Sequence, residues 1–253
     1  MLSKNQIKLI SSLSQKKFRD ELALFVAEGT KLVLDLSKSF KIHLVFATPN
    51  WANEHKSFIP CDIQIVTEEE INKISNQKTP QGVLAIFKKN IYDISGIDFS
   101  TELCLALDNI QDPGNFGTII RIADWFGIHN IYCSLLTVDA YSPKAVQATM
   151  GALSRVKVHY VDLNLYLSSL PVNVPVYGTF MNGYDIYNEA LTPHGIIVMG
   201  NEGNGISENI EKLVNKRLLI PNFPINEPTS ESLNVGVATA LVCAEFRRRQ
   251  LKF

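Results

Sequence analysis

A single arginine follows a polar, glycine-containing turn near the middle of the chain. It lies in the stretch LDNIQDPGNFGTIIRIADWFG, residues 107–127, where an apolar run gives way to a turn and then to a helical pattern. A guanidinium can bind a phosphate through two parallel hydrogen bonds and can stabilise developing negative charge. Arg121 is therefore able to bind a phosphate, and it lies off the predicted apolar face of the helix. Spacing alone also allows a surface pair between Arg121 and Asp124, and a helix-capping role for Asn115.

A second turn combines glycines with a carboxylate. In GIIVMGNEGNGIS, residues 195–207, a buried strand is expected to end at Gly200, followed by Asn201, Glu202 and Gly203. Glycines let a ligand approach backbone amides and carbonyls closely. No lysine follows and a carboxylate would repel a phosphate, so a P-loop is not indicated. The alternative is an ordinary glycine-rich turn between a strand and a helix.

The third stretch is LLIPNFPINEPTSESLNVGVATALVCAEFRRR, residues 218–249. A strand is expected to end at Ile220, and a polar, proline-broken loop follows. The sequence then predicts a helix that begins at Ser230 or Ser232. Small residues along that helix favour close packing on another backbone: Gly236, Ala238, Ala240 and Ala244. The alternative is an ordinary, tightly packed C-terminal helix.

These turns belong to a repeated strand-then-helix pattern. Near-continuous apolar strands predict a parallel sheet covered on both faces. The predicted strand and helix pairs are 103–107 and 116–126, 129–133 and 143–154, 156–159 and 162–168, 174–179 and 185–189, 195–199 and 207–214, and 217–220 and 231–249. In open α/β sheets ligands bind outside the carboxyl ends of the strands. We therefore expect Asn115, the 200–205 turn and the 220–234 loop to converge on one pocket.

The first 90 residues have a pattern of their own. A basic amphipathic helix is predicted at 3–16, followed by a short strand and a helix that opens at Glu28 and Gly29. Further strands are predicted at 41–48, 62–67 and 81–89, and a further helix at 68–75. This order favours a small α/β or α+β domain. We predict an N-terminal domain at 1–92, a linker at 93–101 and a second domain at 102–253.

Composition narrows the class of protein. The 253 residues are 46% hydrophobic, and the formal net charge is −1, so the chain as a whole is not a basic nucleic-acid coat. Residues 1–41 nevertheless hold eight Lys or Arg against four Asp or Glu. The four cysteines are far apart and form no zinc or redox motif, and three of them lie in apolar runs as expected core residues. No signal peptide or transmembrane segment is indicated, so we expect a reduced, cytoplasmic setting and no membrane partner.

The three stretches together resemble the SpoU (TrmH) family of RNA ribose 2′-O-methyltransferases, within the SPOUT superfamily. DPGNFGTIIRIADWFG is similar to the first family motif, VMGNEGNGIS to the second, and IPNFPINEPTSESLNVGVATAL to the third. ATMGALSRVKV, at 148–158, is similar to the family's Gly-Ala-Leu segment. The motifs occur in the family's order, and the resemblance covers residues 103–249. FVAEGTKLV resembles the family's N-terminal RNA-binding domain more loosely.

The resemblance implies a fold, a reaction and partners. The implied fold is α/β, with a C-terminal parallel-sheet trefoil knot and a small N-terminal domain that is ribosomal-protein-like. The implied enzyme is a homodimer that transfers a methyl group from S-adenosyl-L-methionine to an RNA ribose 2′-hydroxyl, in rRNA or tRNA. Neither a metal nor a membrane is implied. Basic N-terminal residues would add affinity for RNA phosphates.

The resemblance also assigns roles to individual residues. It implies a catalytic role for Arg121, which we expect to bind the target phosphate and stabilise charge on O2′; removal of the hydroxyl proton by Arg121 is the alternative. The residues expected to orient it and the ribose are Asn115, Glu202, Ser232 and Asn234. The residues expected to hold or line the cofactor site are Thr179, Gly200, Asn201, Gly203, Ile220 and Leu233. No metal ligands are expected.

Two departures from the family pattern and two rival functions remain. The loop after Ile220 is longer and richer in proline than in many relatives, and Gly236 stands where relatives often have Ser. The tail EFRRRQLKF could bind phosphate or could be a solvated helix end. A non-catalytic RNA-binding protein of the same fold is one alternative function. An enzyme that binds a nucleotide cofactor is the other, although the chain lacks G-x-G-x-x-G.

Overall fold

A computed structural model describes residues 1–94, 98–224, 227, 230 and 232–251. The chain forms two compact units. Unit 1 consists of residues 1–91 and 139–155, and unit 2 of residues 92–138 and 156–253. Residues 139–155, which lie in the second domain of the sequence-based division, thus pack with the N-terminal residues. The proposed boundaries at 92 and 102 stay a prediction.

Ten helices and ten strands are assigned within the described residues. The strands are β1 (Leu24–Glu28), β2 (Ile42–Ala47), β3 (Gln64–Ile65), β4 (Val83–Lys88), β5 (Leu103–Leu107), β6 (Asn130–Ser134), β7 (Lys157–Val161), β8 (Val176–Asp185), β9 (Gly195–Met199) and β10 (Lys216–Leu219). The helices are α1 (Lys4–Ser12), α2 (Lys16–Leu22), α3 (Thr30–Leu36), α4 (Pro49–His55), α5 (Glu68–Ile74), α6 (Pro113–Trp125), α7 (Pro143–Ala148), α8 (Leu163–Ser168), α9 (Glu208–Glu211) and α10 (Val235–Arg248).

Unit 1 is built on a mixed four-stranded sheet in the order β1-β4-β2-β3. The β1–β4 and β4–β2 pairs are antiparallel, and the β2–β3 pair is parallel. Local sequence sets the helix ends: Thr67 and Glu70 form a reciprocal capping box at the start of α5. A buried ion pair lies in the same unit, where Arg19 Nε donates to Asp139 Oδ2 over 2.8 Å. Both side chains are almost fully buried.

Unit 2 contains a six-stranded sheet in the order β10-β8-β9-β5-β6-β7, and every neighbouring pair is parallel. All residues of β5 and β9, the two central strands, are buried. This confirms the parallel sheet that the apolar runs predict. The register of β8 against β10 jumps from Gly178 to Tyr184, so residues 179–183 leave the ladder.

Several predicted elements have different limits in the structure. The helix predicted at 185–189 is wrong: β8 continues to Asp185, and turns follow. The C-terminal helix begins at Val235, capped by Asn234, and not at Ser230 or Ser232. Helices α2 and α4 have no counterpart among the predicted elements. The helix predicted at 143–154 ends at Ala148, and a short 3₁₀ turn follows.

The C-terminal helix packs closely on α6. At Gly236, an added Cβ would lie 3.2 Å from Thr118 Cγ2, which makes glycine the best fit there. Of the four small residues that the sequence suggests for this contact, only Gly236 is buried. The rest of the buried face of α10 carries larger side chains: Val235, Thr239, Val242, Cys243, Glu245 and Phe246. The close approach of the two helices therefore rests on one glycine and not on a stripe of alanines.

Two predictions from composition can be compared with the structure. Cys104, Cys133 and Cys243 are buried and free, as expected for small core residues, whereas Cys61 is exposed. In the portion of the chain that the structure describes, none of the helices has the length and apolar character required to cross a bilayer.

Candidate active site

The turns after β5 and β9 are joined by hydrogen bonds at the carboxyl edge of the parallel sheet. Asn201 Nδ2 donates to the carbonyl of Asn109 over 2.7 Å. The Ser207 N–H donates to Asp108 Oδ2 over 2.8 Å, just before α9 begins. The first two motifs, about 90 residues apart in sequence, are thereby fixed side by side.

The turn after β9 is closed on itself. The backbones of Asn201 and Gly205 exchange two hydrogen bonds, of 2.9 and 3.0 Å. A Cβ on Gly200 would overlap the backbone of Gly205 and Ile206, so no other side chain fits there. Glycine is therefore required at position 200 by the turn itself. The shape of the turn holds Glu202 in a half-buried position.

A relay of three side chains connects all three motifs. Asn115 Nδ2 donates to Glu202 Oε1 over 3.1 Å. Asn234 Nδ2 donates to Asn115 Oδ1 over 2.9 Å. The convergence expected from the sequence is thus observed for Asn115, Glu202 and Asn234, which come from α6, the turn after β9 and the start of α10.

The direction of this relay is set by the backbone of α10. Asn234 Oδ1 accepts from the N–H groups of Gly236 and Val237, so its amide nitrogen must face Asn115. Asn115 must then turn its oxygen towards Asn234 and its nitrogen towards the carboxylate of Glu202. Both amide orientations are fixed by groups that can only donate or only accept. We call this chain of contacts the Glu202–Asn115–Asn234 relay.

Asn115 is not the cap of α6. The cap is Asp112, whose Oδ1 accepts from the Asn115 N–H over 2.7 Å, and Pro113 occupies the first turn. The capping role that the sequence allows for Asn115 is therefore wrong. Its side chain is left free to serve the relay.

Arg121 lies on α6 and is exposed to solvent. Within the described ranges of the chain, its guanidinium makes no hydrogen bond or ion pair, and the surface pair with Asp124 is not observed. Its backbone is held by α6, whereas its side chain is available to a ligand. Among the same residues, no hydrogen bond joins Arg121 to the relay.

Ser232 and Leu233 precede α10 and are both exposed. Across the described residues, the Ser232 hydroxyl makes no hydrogen bond, so the structure does not join Ser232 to the other candidate catalytic residues. Residues 225, 226, 228, 229 and 231 of the same predicted loop lie outside the described residues.

The candidate cofactor residues divide into two groups. The peptide groups of Gly200, Ile220 and Leu233 make no hydrogen bond to any described residue, and Gly200 is buried. A buried, unpaired peptide group is costly unless a ligand or water satisfies it. Thr179 is half-buried, with its hydroxyl 4.0 Å from the sulfur of Met199.

Asn201 and Gly203 are engaged within their own turn. Asn201 Oδ1 accepts from the N–H groups of Gly203 and Asn204. With its amide nitrogen bound to Asn109, the side chain of Asn201 has a structural use at both ends. The Gly203 N–H is likewise occupied.

A polar cluster that the sequence does not indicate adjoins the start of the first motif. Asn109 has a left-handed backbone, with φ of 57°. Ser134 Oγ donates to Asn109 Oδ1 over 2.8 Å and accepts from the Asn109 N–H over 2.9 Å. Thr137 Oγ1 donates to the carbonyl of Leu107. The tolerance of asparagine for positive φ was the one signal available, and it does not name Ser134.

The arginines of the basic C-terminal tail are held by the protein itself, and residues 252 and 253 of that tail lie outside the described residues. Arg247 donates to the carbonyls of Phe126 and Gly127, at the end of α6. Arg248 and Arg249 both pair with Glu245, whose side chain is buried. The sequence allows either a phosphate contact or a solvated helix end for this tail. In the structure, Arg247 and Arg249 instead have a structural role, because they bind groups of the protein itself.

The carboxylates near the joined turns are each engaged by a neighbouring donor. Asp108 accepts from the Ser207 N–H, Asp112 caps α6, and Glu202 accepts from Asn115. The described residues contain no group of three or more His, Cys, Asp or Glu side chains placed to hold a metal ion.

Comparison with known proteins identifies the family. The SpoU rRNA Methylase family model matches residues 102–244, which include all three motifs of the joined site. The chain belongs to the SpoU rRNA Methylase family. Residues 4–85 match a second model, the MRM3-like substrate binding domain.

Relatives of this SpoU family chain match it along most of its length. The Bacillus subtilis 23S rRNA (guanosine(2553)-2′-O)-methyltransferase RlmP is 28% identical over 251 residues, which cover 97% of each protein. A TrmH-family structure from Porphyromonas gingivalis, a putative RNA methyltransferase by its description, is 36% identical, with a TM-score of 0.87 over 98% of this chain and 99% of that one. The AdoMet-bound rRNA methyltransferase from Sinorhizobium meliloti is 29% identical, also with a TM-score of 0.87, over 100% and 97%.

Proposed function

We propose that the protein transfers a methyl group from S-adenosylmethionine to a ribose 2′-hydroxyl of RNA, with rRNA as the substrate class. The observation that carries this proposal is the Glu202–Asn115–Asn234 relay, which joins the three family motifs through α6, the helix that also carries the exposed Arg121. A 23S rRNA 2′-O-methyltransferase among the full-length relatives supports the substrate class.

The residues at the sheet edge fit S-adenosylmethionine. The unpaired peptide groups of Gly200, Ile220 and Leu233 can bind the polar edges of the adenine and methionyl parts, with Thr179 as a wall. The AdoMet-bound relative supports this assignment. When bound, S-adenosylmethionine supplies a methyl group on a sulfonium, which is already strongly electrophilic. The protein therefore has mainly to orient the ribose and assist loss of its proton.

In this mechanism Arg121 binds the phosphate of the target nucleotide and stabilises the charge that develops on O2′. A guanidinium, with a pKa above about 12 in water, is a poor base, but it donates two parallel hydrogen bonds to a phosphate. Its lack of a partner among the described residues supports the role, because no internal bond need break on binding. Ser232, exposed and close in sequence to Asn234, would contact the ribose.

The relay would hold the site in shape. Asn234 fixes the first turn of α10, and through Asn115 it fixes the position of the Glu202 carboxylate. Such side chains act as positioning residues: they keep the motif-three backbone beside the motif-two turn, where the cofactor would bind.

We also propose a homodimer and a knotted chain. Trp125, Val237 and Leu241, on α6 and α10, are 85%, 51% and 39% exposed, and together they give this helix pair an apolar surface that a second copy could cover. Strand β10 lies at one edge of the sheet, whereas Asn234 contacts Asn115 beside the central strand β5. Asn234 therefore lies nearer the centre of the sheet than β10 does, and such a change of position is expected of a chain that threads through a knot.

Unit 1 would bind the RNA substrate. Its match to a substrate binding domain and the exposed lysines of α1 and α2 support this role. These lysines would contact phosphates and would add affinity that declines with salt. A cytoplasmic location, where both RNA and cofactor occur, stays part of the proposal.

The test is methyl incorporation. Purified protein is incubated with methyl-labelled S-adenosylmethionine and rRNA from a strain in which the gene is deleted, and modified riboses are mapped. One new 2′-O-methyl site that is also lost from the deletion strain supports the proposal. Calorimetric binding of RNA without any transfer would favour a non-catalytic protein, and binding of NAD in place of S-adenosylmethionine would favour a nucleotide-cofactor enzyme.

A further inference from the structure

Unit 1 contains an open cleft of about 340 Å³ that the proposed reaction does not use. Its lining includes the polar residues Lys31, Gln81 and Gln147 and the apolar residues Leu32 and Met150. This volume includes solvent at the open mouth of the cleft. The cleft is open, so a group bound in it would enter from the surface and stay partly exposed.

The amide of Gln81 has a fixed orientation. The Thr30 N–H donates to Gln81 Oε1 over 3.3 Å, and an N–H group can only donate. The oxygen of Gln81 must therefore face Thr30. Its amino group has no hydrogen-bonding partner among the described residues, so it is a donor available to a ligand.

The amide of Gln147 is fixed in the same way. Gln77 Nε2 donates to the carbonyl of Glu28 over 3.2 Å and to Gln147 Oε1 over 3.0 Å. Because the carbonyl can only accept, the nitrogen of Gln77 is identified, and Gln147 must face it with oxygen. The amino group of Gln147 is thus a second donor without a partner in the described part of the chain.

Charge at the cleft also favours a ligand that accepts hydrogen bonds. The carboxylate of Glu28 is occupied, because it accepts from the Ser75 hydroxyl and from the backbone and side chain of Asn76. The ammonium of Lys31 contacts Asp35 and the carbonyl of Met150, yet its side chain is 68% exposed. The cleft therefore offers two amide donors and one reachable cation.

We infer that this cleft binds one unpaired nucleotide of the substrate RNA and prefers uracil or guanine to adenine. This inference rests on the proposed function, which supplies the RNA. The two carbonyl oxygens of uracil, or O6 and N7 of guanine, accept from the two amino groups, whereas adenine has a donor amino group in place of one of these acceptors. Leu32 and Met150 contact the base, and Lys31 contacts its phosphate.

The experiment replaces the outward amino group of Gln147 by an acceptor and keeps its contact with Gln77. Gln147→Glu makes this reversal from donor to acceptor, since one carboxylate oxygen still faces Gln77. Asn164→Asp, at an exposed position of α8 in unit 2 where the side-chain amide makes no hydrogen bond to a described residue, introduces the same charge outside the cleft and is the matched control. Fluorescence anisotropy with labelled oligouridylate and oligoadenylate measures binding to the full chain. We expect wild type to prefer uridylate at least about fivefold, and Gln147→Glu to weaken uridylate binding at least about tenfold more than Asn164→Asp does.

Equal binding of the two probes by wild type, or equal effects of the two variants, would overturn the inference. If Gln147→Glu does not fold, Gln81→Glu provides the same reversal, since it keeps the oxygen facing Thr30. Methyl transfer to rRNA is measured on the same preparations. Methyl transfer without a preference for uridylate would support the proposed function and contradict the nucleotide-binding role of the cleft. A Gln147-dependent preference without transfer supports the cleft and removes the proposed function.

Discussion

Two helices that pack on each other carry arginines with opposite surroundings. On α6, Arg121 projects into solvent and makes no bond to the described residues. At the end of α10, Arg247 binds two carbonyls of the α6 terminus, and Arg249 binds Glu245 and the carbonyls of Ile186, Tyr187 and Glu189. The three cations are of one type, but of these three only Arg121 keeps its donors for a ligand.

The partners of an arginine, and not its exposure or its neighbours in sequence, therefore indicate its role. A cluster such as RRR attracts attention as a phosphate site, yet its donors already satisfy the backbone at two places in the fold. A lone arginine on a rigid helix loses little by binding a phosphate, because it has no internal bond to give up.

The largest effect is expected at Arg121. Arg121→Ala should lower kcat for methyl transfer by roughly 1,000-fold, since a preorganised charge-stabilising group would be lost. The melting temperature and the affinity for S-adenosylmethionine should stay at wild-type values. Single-turnover transfer, thermal unfolding and calorimetry measure the three quantities. Near-normal turnover would remove Arg121 from the mechanism.

Arg19 is almost fully buried against Asp139. Its replacement should cause a large loss of stability, although Arg19 has no direct role in the reaction. Arg19→Met leaves a buried carboxylate without its partner and should destabilise unit 1 by about 3–5 kcal/mol. Urea unfolding monitored by fluorescence measures this. The double variant Arg19→Met/Asp139→Leu removes both charges and should recover much of the loss. Equal destabilisation of the single and double variants would contradict the ion-pair explanation.

Asn234 should separate stability from activity. Asn234→Asp keeps an oxygen that caps α10 but cannot donate to Asn115. If Asn115 turned its amide over to donate to the new carboxylate, its oxygen would face the carboxylate of Glu202. We expect near wild-type stability and about a tenfold lower kcat, a loss of roughly 1.4 kcal/mol in transition-state stabilisation. Asn234→Ala should in addition lower the free energy of unfolding by about 1 kcal/mol, because the helix cap is lost.

Unfolding curves and transfer kinetics on both Asn234 variants provide the check. If Asn234→Asp keeps full activity, the relay has no role in positioning the site, and its contacts serve the fold alone.

Much of unit 2 could be predicted because its signals are local. Buried strands such as β5 and β9 are continuous apolar runs, and the residues at their carboxyl ends must share an edge of the sheet. The meeting of Asn115 with Glu202 follows from that rule. The start of α10 could not be predicted, because Ser230, Ser232 and Asn234 are all good caps and tertiary contacts select Asn234.

The packing of residues 139–155 with unit 1 could not be predicted either. Asp139 follows the unit 2 segment directly in sequence, and nothing local indicates that its partner is Arg19, 120 residues earlier. The contacts of Arg247 and Arg249 are equally distant in sequence. Most of their acceptors are backbone carbonyls, which every residue has, so the sequence does not indicate which ones are bound. Periodicity identifies elements, but it does not identify the partner of a long polar side chain.

The smallest effect is expected at Arg248, which is exposed and shares Glu245 with Arg249. The hydrogen bond from Arg248 is the main influence that lowers the pKa of Glu245; burial opposes it, and Arg249 adds to it. A lowered carboxyl pKa contributes stability above the unfolded-state value of about 4.3, and that stability is lost as the pH falls through the folded-state pKa. Arg248→Gln should therefore leave the melting temperature at pH 7 within about 2 °C of wild type, because Arg249 still pairs with the carboxylate.

The same variant should lose less stability than wild type on acidification, because the folded-state pKa of Glu245 would lie closer to its unfolded-state value. The difference in melting temperature between the two proteins should therefore narrow as the pH falls from about 7 to about 3, and methyl transfer at pH 7 should be unchanged. A marked loss of methyl transfer in Arg248→Gln with unchanged stability would indicate that a C-terminal arginine contacts the RNA. That result would contradict the division between a substrate-binding Arg121 and structural C-terminal arginines.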